Sequence, residues 1–287
     1  MANVKIIADS TCDLTKEILE QYDITLVPLY ITSGDDEFRD GVNIQPADVF
    51  RMVDTEKRTC KTAAVNVYDY ERVFTEYSPK YDAVIHINIS QGFSACNQNA
   101  IISSDDFPNV HVVDSQSLST GSGYLVHEAG IMARRGDSAE EIIEHLNRCA
   151  PLMNTSFVID RLDYLHKGGR CSGVALLASK ALKIKPCIEV AGGLMRVGGK
   201  YFGRFDAALS KYVKDRLDVK DRTLIDYERI YITHSKCSPE IVEQVRREIT
   251  QYADFEEIIV TEAGCTISNH CGPNTLGIIF KQTRPYC

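Results

Sequence analysis

No stretch of this 287-residue chain approaches the roughly 18 consecutive apolar residues that a membrane helix needs. The opening residues, Met1-Ala2-Asn3-Val4-Lys5, enter a strand-like segment without the basic-then-apolar pattern of an export signal. Also missing are a Gly-x-x-x-x-Gly-Lys-Ser/Thr loop and a Gly-x-Gly-x-x-Gly fingerprint, which argues against intrinsic kinase or dehydrogenase activity. The ten cysteines, at 12, 60, 96, 149, 171, 187, 237, 265, 271 and 287, form no Cys-x-x-Cys pair. Cys265 and Cys271 are too widely spaced for a zinc signature, so no metal or cofactor is expected. Without an export signal the thiols are expected to stay reduced and to pack as small hydrophobes. Positive charge is in deficit, with 32 Lys and Arg against 40 Asp and Glu and a net charge of −8, which argues against nucleic-acid binding. The expectation is a soluble, cytoplasmic protein.

What is present is ordinary globular material, 44% hydrophobic, 25% charged and 8% aromatic, long enough for two domains. In the first half, short β-branched runs at 4–8, 24–31, 83–89 and 110–113 alternate with amphipathic stretches at 15–22 and 46–56. Near-continuous apolar strands of this kind predict a parallel sheet covered on both faces. Ser138-x-x-Glu141 reads as a capping box ahead of Ile142, Ile143 and Leu146. Residues 1–152 are therefore expected to form a doubly wound α/β domain. Residues 153–287 read as a second α/β domain with a mixed or largely antiparallel sheet. Its strands are expected at 155–159, 184–190, 194–197, 229–233, 258–261 and 276–281, with a hairpin at Gly192-Gly193 and a long helix from Pro239 to Tyr252.

Charge is unevenly spread. Between Arg161 and Arg216 there are twelve Lys or Arg against four Asp or Glu, a net of +8 that leaves the remainder at −16. That segment is either a set of solvated helix faces or a docking face for an acidic or phosphorylated partner.

In an open parallel sheet, ligands bind beyond the carboxyl ends of the strands. Those ends carry Asp9-Ser10-Thr11, Ser90-Gln91-Gly92 and Asp114-Ser115, each of which could also simply cap the next helix. Ser90-Gln-Gly92-Phe93-Ser94-Ala-Cys96 leads from a strand into a helix starting near Ser94, placing backbone N–H groups and a hydroxyl toward an anion. It partly matches a Gly-x-Ser-x-Gly nucleophile elbow but lacks the last glycine. His270, in a loop before Gly272-Pro273, is the candidate base for that reading, and Asp9 or Asp114 the candidate orienting carboxylate.

These motifs together resemble those of a known family. Asp9-Ser-Thr-Cys-Asp13-Leu14 resembles an Asp-Ser-x-x-Asp-Leu opening, and Ile89-Ser-Gln-Gly-Phe-Ser94 an Ile-Ser-Ser-Gly-Leu-Ser-Gly-Thr loop. Arg161-Leu-Asp-Tyr-Leu-His-Lys-Gly-Gly-Arg170, Leu182-Lys-Ile-Lys-Pro186 and His270-Cys-Gly-Pro273 match three further signatures in order. The chain is thereby identified as similar to the DegV family, the fatty-acid-binding subunits of bacterial fatty acid kinase.

The resemblance implies a non-catalytic, two-domain α/β protein that holds one long-chain fatty acid, its acyl chain in an apolar tunnel and its carboxylate between the domains. The head-group residues of the family fall on Thr62, Ser94 and His270, with Ser90, Gly92 and Phe93 beside them. A separate ATP-dependent kinase subunit would phosphorylate the bound carboxylate, with Arg170 and Arg204 on the phosphate and partner side. Membrane contact would be transient at most.

Three places depart from the family pattern. Thr-Ser-Gln-Pro appears as Thr62-Ala63-Ala64-Val65, Ser-Gly-Thr as Ser94-Ala95-Cys96, and Gly-Pro-Gly as Gly272-Pro273-Asn274. The alternative, from another class, is a serine esterase or thioesterase using Ser94 and His270; a binding module for a different amphiphile is a third reading.

Overall fold

A computed structural model describes residues 2–169 and 184–284. Its first half is built on a parallel four-stranded sheet in the order β2-β1-β6-β7, formed by β1 (Val4–Asp9), β2 (Thr25–Val27), β6 (Ala83–Asn88) and β7 (Val110–Asp114). All six residues of β6 are buried, as expected for a strand covered on both faces. Five helices among the described residues pack around this sheet: α1 (Lys16–Gln21), α3 (Val67–Tyr77), α4 (Cys96–Ser104), α5 (Thr120–Arg135) and α6 (Ala139–Cys149). Local chemistry starts most of them. Thr15 accepts from Ile18 N, Asn66 from Asp69 N at 2.8 Å, and Ser138 and Glu141 form the expected capping box.

The second half is a six-stranded mixed sheet in the order β10-β9-β8-β13-β11-β12. Its strands are β8 (Met153–Ile159), β9 (Ile184–Ala191), β10 (Leu194–Phe202), β11 (Ile225–Ser235), β12 (Glu257–Glu262) and β13 (Thr275–Gln282). Only the β11–β12 pair is parallel. Side chains alternate across it with the strand period of two. Val158, Ile230, Ile232, Leu276, Ile278 and Phe280 pack with α8 (Phe205–Leu217) and α9 (Pro239–Tyr252). From the opposite face, Tyr231 and Ile279 enter the core of the first half.

The sequence expectations need correction in several places. The run at 24–31 is not one strand. It breaks at Pro28-Leu29, and the chain continues as β3 (Tyr30–Ser33), the centre of a separate antiparallel sheet with β4 (Asp36–Arg39) and β5 (Lys61–Ala63). Leu29 O accepts from Asp40 N at 2.9 Å where the chain turns into that sheet. The stretch 46–56 begins as α2 (Pro46–Phe50) and widens into a π turn at Arg51–Thr55. Helix α4 spans Cys96–Ser104, two residues later than expected, and 162–168 is helical as α7 (Leu162–Gly168). His270 stands not in a loop but in the last turn of α10 (Cys265–Cys271). The eight described cysteines are free thiols. No helix among the described residues is long and apolar enough to cross a membrane.

Candidate functional site

Four elements that are distant in sequence converge beside the carboxyl ends of the parallel sheet. Strand β5 places Thr62 opposite Ile31 of β3, and α10 brings His270 to it, so that Thr62 Oγ1 and His270 Nε2 lie 2.8 Å apart across 208 residues. The loop after β6 supplies Phe93 and Ser94, and α7 supplies Leu165. Together they bound a cavity whose other walls are mainly apolar and include Leu29, Ile89, Leu118, Phe157 and Ile267.

Gly168 sets the imidazole in place from α7. A Cβ at that position would stand 2.2 Å from His270 Nδ1, far inside contact distance. Arg161 ties α7 to the π turn by bonding Asp54 at 2.8 Å and Asp163 at 2.8 Å, so the helix has little room to retreat. Gly168→Ala is therefore expected to push the ring off Thr62, a bond worth about 1 kcal/mol. The His270 ring resonances should shift in NMR spectra while the far-UV circular dichroism stays as in wild type; unchanged resonances would contradict the packing argument.

The Ser94 hydroxyl lies 3.1 Å from Cys96 Sγ and accepts from Cys96 N at 3.3 Å. Burial pushes the Cys96 thiol up to about 12, so it remains neutral. Thr266 and Cys271 complete the polar part of the wall, and no Lys, Arg, Asp or Glu side chain lines this cavity among the described residues.

The remaining sequence candidates sit elsewhere. Ser90 donates to Gly193 O of the β9–β10 hairpin at 2.9 Å and accepts from Gly92 N at 3.2 Å. A Cβ on Gly92 would meet Gly193 O at 2.4 Å. Ser90 and Gly92 thus seat the hairpin and hold the loop from behind, rather than lining the cavity. Arg204 caps the start of α8, 86% exposed and paired with Asp206 at 2.8 Å. Arg170 lies outside the described residues.

The serine-esterase geometry is not assembled. Ser94 is bonded to Cys96 instead of His270. Asp9 is fully engaged below the floor, accepting from Tyr70 OH at 2.7 Å and Ile89 N at 3.0 Å, with His86 at 3.3 Å. Asp114 accepts from Gln91 N and Gln116 N.

A second, almost wholly apolar chamber adjoins the first, the two sharing Leu118, Phe157, Ile267 and Cys271 in their walls. Sequence reasoning missed it because its walls come mainly from strand residues of the second half and from Leu118 and Ser119 just ahead of α5. A wider open cleft near Gln116 and Asn154 contains Arg196 and Arg216, but both bond Glu189.

Two of the departures have local explanations. Asn274 stands where φ is +55°, a conformation asparagine tolerates better than most residues, and its amide reaches Asp160 at 3.4 Å. Ala63 and Ala64 simply line the cavity with small side chains.

Fold and site define an α/β protein with two adjoining, largely apolar chambers, the outer of which carries hydroxyl groups and an imidazole at one end. The model of the DegV family matches residues 3–283, and the chain belongs to that family. A DegV domain-containing protein of Caldanaerobacter subterraneus subsp. tengcongensis is 29% identical over 98% of this chain and 100% of its own length. The structure of a DegV family protein from Thermus thermophilus, described for its fatty acid binding, is similar with a TM-score of 0.88 and 27% identity, covering 98% of this chain and 100% of that one. A stearic acid-binding protein from Eubacterium ventriosum has a TM-score of 0.83 and 28% identity over 97% of this chain and 98% of its own.

Proposed function

We propose that this protein binds one long-chain fatty acid, with the carboxylate at Thr62, Ser94 and His270 and the acyl chain in the two joined chambers, and presents it to a separate ATP-dependent kinase subunit. The observation that carries this reading is the pairing of two adjoining apolar chambers with a hydroxyl and imidazole pair at the end of the outer one. The fatty acid binding described for the Thermus thermophilus and Eubacterium ventriosum proteins supports it.

The energetics agree. Burying about 15 methylenes at roughly 0.8 kcal/mol each is worth on the order of 12 kcal/mol before ordering costs. A carboxylate taken from water needs donors, and hydroxyls provide them without the charge pairing of an arginine. If His270 donates its Nε2 proton to Thr62 Oγ1, the threonine O–H is left to donate to the ligand. A carboxylate held this way keeps its nucleophilicity for attack on phosphorus. The exposed Arg204 and the basic segment around it would face the kinase.

Native mass spectrometry followed by lipid extraction tests the reading. One fatty acid of about 250–280 Da per chain is expected, held tightly by an enclosing site. Ser94→Ala should release lipid or lower acyl-phosphate formation when the kinase and ATP are supplied, and Arg204→Ala should lower the second without the first. An empty chain that takes up neither palmitate nor oleate overturns the proposal. Labelling of Ser94 by a fluorophosphonate would favour the esterase instead.

A further inference from the structure

The six-stranded sheet floors the inner chamber in three rows set by strand register. Ser235 and Thr275 form the first row, beside the helix that carries His270. Thr233, Gly277 and Phe157 form the second, and Tyr231, Ile279 and Thr155 the third. Successive rows are two residues apart, so the floor extends about 13 Å from first to third. Gly277 gives the middle row no side chain from the central strand. A Cβ there would stand 2.4 Å from Ser156 O and 2.9 Å from Phe157 Cβ.

The walls are closed by hydroxyls that satisfy one another. Thr120 bonds Thr233, which bonds Thr261 at 3.0 Å, and Ser117 bonds Thr155 at 2.9 Å. Paired in this way, the hydroxyls leave the chamber apolar despite its Ser and Thr content. At the third row Ile279 is buried and packs into the first-half core with Tyr124 and Tyr231. Behind it the Tyr231 hydroxyl lies 2.7 Å from His127 Nδ1, and its ring is 6.0 Å from that of Tyr124. At its third row the chamber thus meets the aliphatic side chain of Ile279, beside Thr155 and backed by a buried aromatic cluster.

We propose that Ile279 is the specificity-determining residue for acyl-chain length, the terminal methyl group of the ligand stopping against its side chain. This rests on the fatty-acid reading above. Shortening the side chain leaves space only at the far end of the tunnel, where the head group and mouth do not feel it. Leu118 lines both chambers midway, so its truncation widens the tunnel without lengthening it.

Delipidated wild-type, Ile279→Ala, Ile279→Val and Leu118→Ala proteins would each be equilibrated with an equimolar mixture of saturated acids of about 12–20 carbons, and the bound distribution read by native mass spectrometry. Ile279→Ala is expected to move the optimum to longer acids, with selectivity for two added carbons rising about tenfold. Ile279→Val should move it less, and Leu118→Ala should weaken every length alike. If wild type takes up no acid, the function proposed above fails. If wild type binds and neither folded Ile279 variant shifts the optimum, or Leu118→Ala shifts it equally, the length assignment is overturned.

Discussion

Arg229→Met is expected to cost about 3 kcal/mol of folding stability, the low end for breaking a buried ion pair, because a buried carboxylate loses one of its three cations. Arg229 reaches from β11 to Glu128 of α5 at 3.0 Å and to Glu257 at 2.6 Å, and lies over the Tyr124 ring at 5.5 Å. The Glu257 bond contributes little, since that carboxylate is half exposed. Glu128 is the costly partner. Burial pushes its carboxyl up, yet His145, Lys281 and Arg229 together hold it down at about 2, so it is ionised. Removing Arg229 withdraws one of those cations, and the urea midpoint should fall accordingly, with a Tm lower by roughly 10 °C. Arg229→Met combined with Glu128→Gln should recover part of the loss, because the buried charge that lost a cation is gone. A midpoint within about 0.5 kcal/mol of wild type would refute the argument. The pair also joins α5, which directly follows Leu118 and Ser119 of the inner chamber wall, to the sheet that floors that chamber, so acid binding should weaken in parallel.

Much of this architecture was legible in the sequence because its signals are local. The buried strands announced themselves as β-branched runs, and the Ser138–Glu141 box fixed the start of α6 within a few residues. The antiparallel sheet that carries Thr62 was not legible. Its strands are only three or four residues long, and Tyr30–Ser33 follows β2 after two residues, so the pattern merges with the strand before it. The surroundings of Ser90 were not legible for a different reason. Its hydroxyl was expected at a ligand, but a hairpin 103 residues away accepts its hydrogen bond. The families of residues that make the inner chamber are separated by one along each strand, and only the register of three strands shows that they share a face. The helical setting of His270 was hidden because the groups that cap α10 come from the other end of the chain.

Those caps support the second large prediction, which concerns pH. Asp13 Oδ1 accepts from Gly264 N at 2.9 Å, and Asp40 accepts from Cys265 N at 2.8 Å and Thr266 N at 3.1 Å, so two buried carboxylates hold the first turn of the helix that ends at His270. Neither has an ion-pair partner among the described residues. Burial pushes the Asp13 carboxyl up to about 8, opposed by bonds from Ser119 and Gly264 N and reinforced by nearby Asp40. The unfolded chain releases this proton near 4, whereas the folded chain keeps it until about 8. The folded state is therefore favoured fully below the lower value, and this contribution is lost as pH rises through the upper one. Between pH 6 and 9 the wild-type urea midpoint should fall by an amount worth at least about 2 kcal/mol more than in Asp13→Asn. The amide can still accept from Gly264 N and has no proton to lose in this window. His145, held up at about 9 by the Cys149 thiol and Glu128, adds a slope of the same sign, but it does so in both proteins and cancels from the difference. The thiols of Cys12 and Cys271 nearby are pushed up to about 12 by burial and titrate above the window. Parallel midpoint curves would mean that Asp13 is ionised in the folded protein, its charge met by Ser119 and the helix N–H alone. Divergent curves would place a retained proton at the base of the helix that delivers His270 to Thr62.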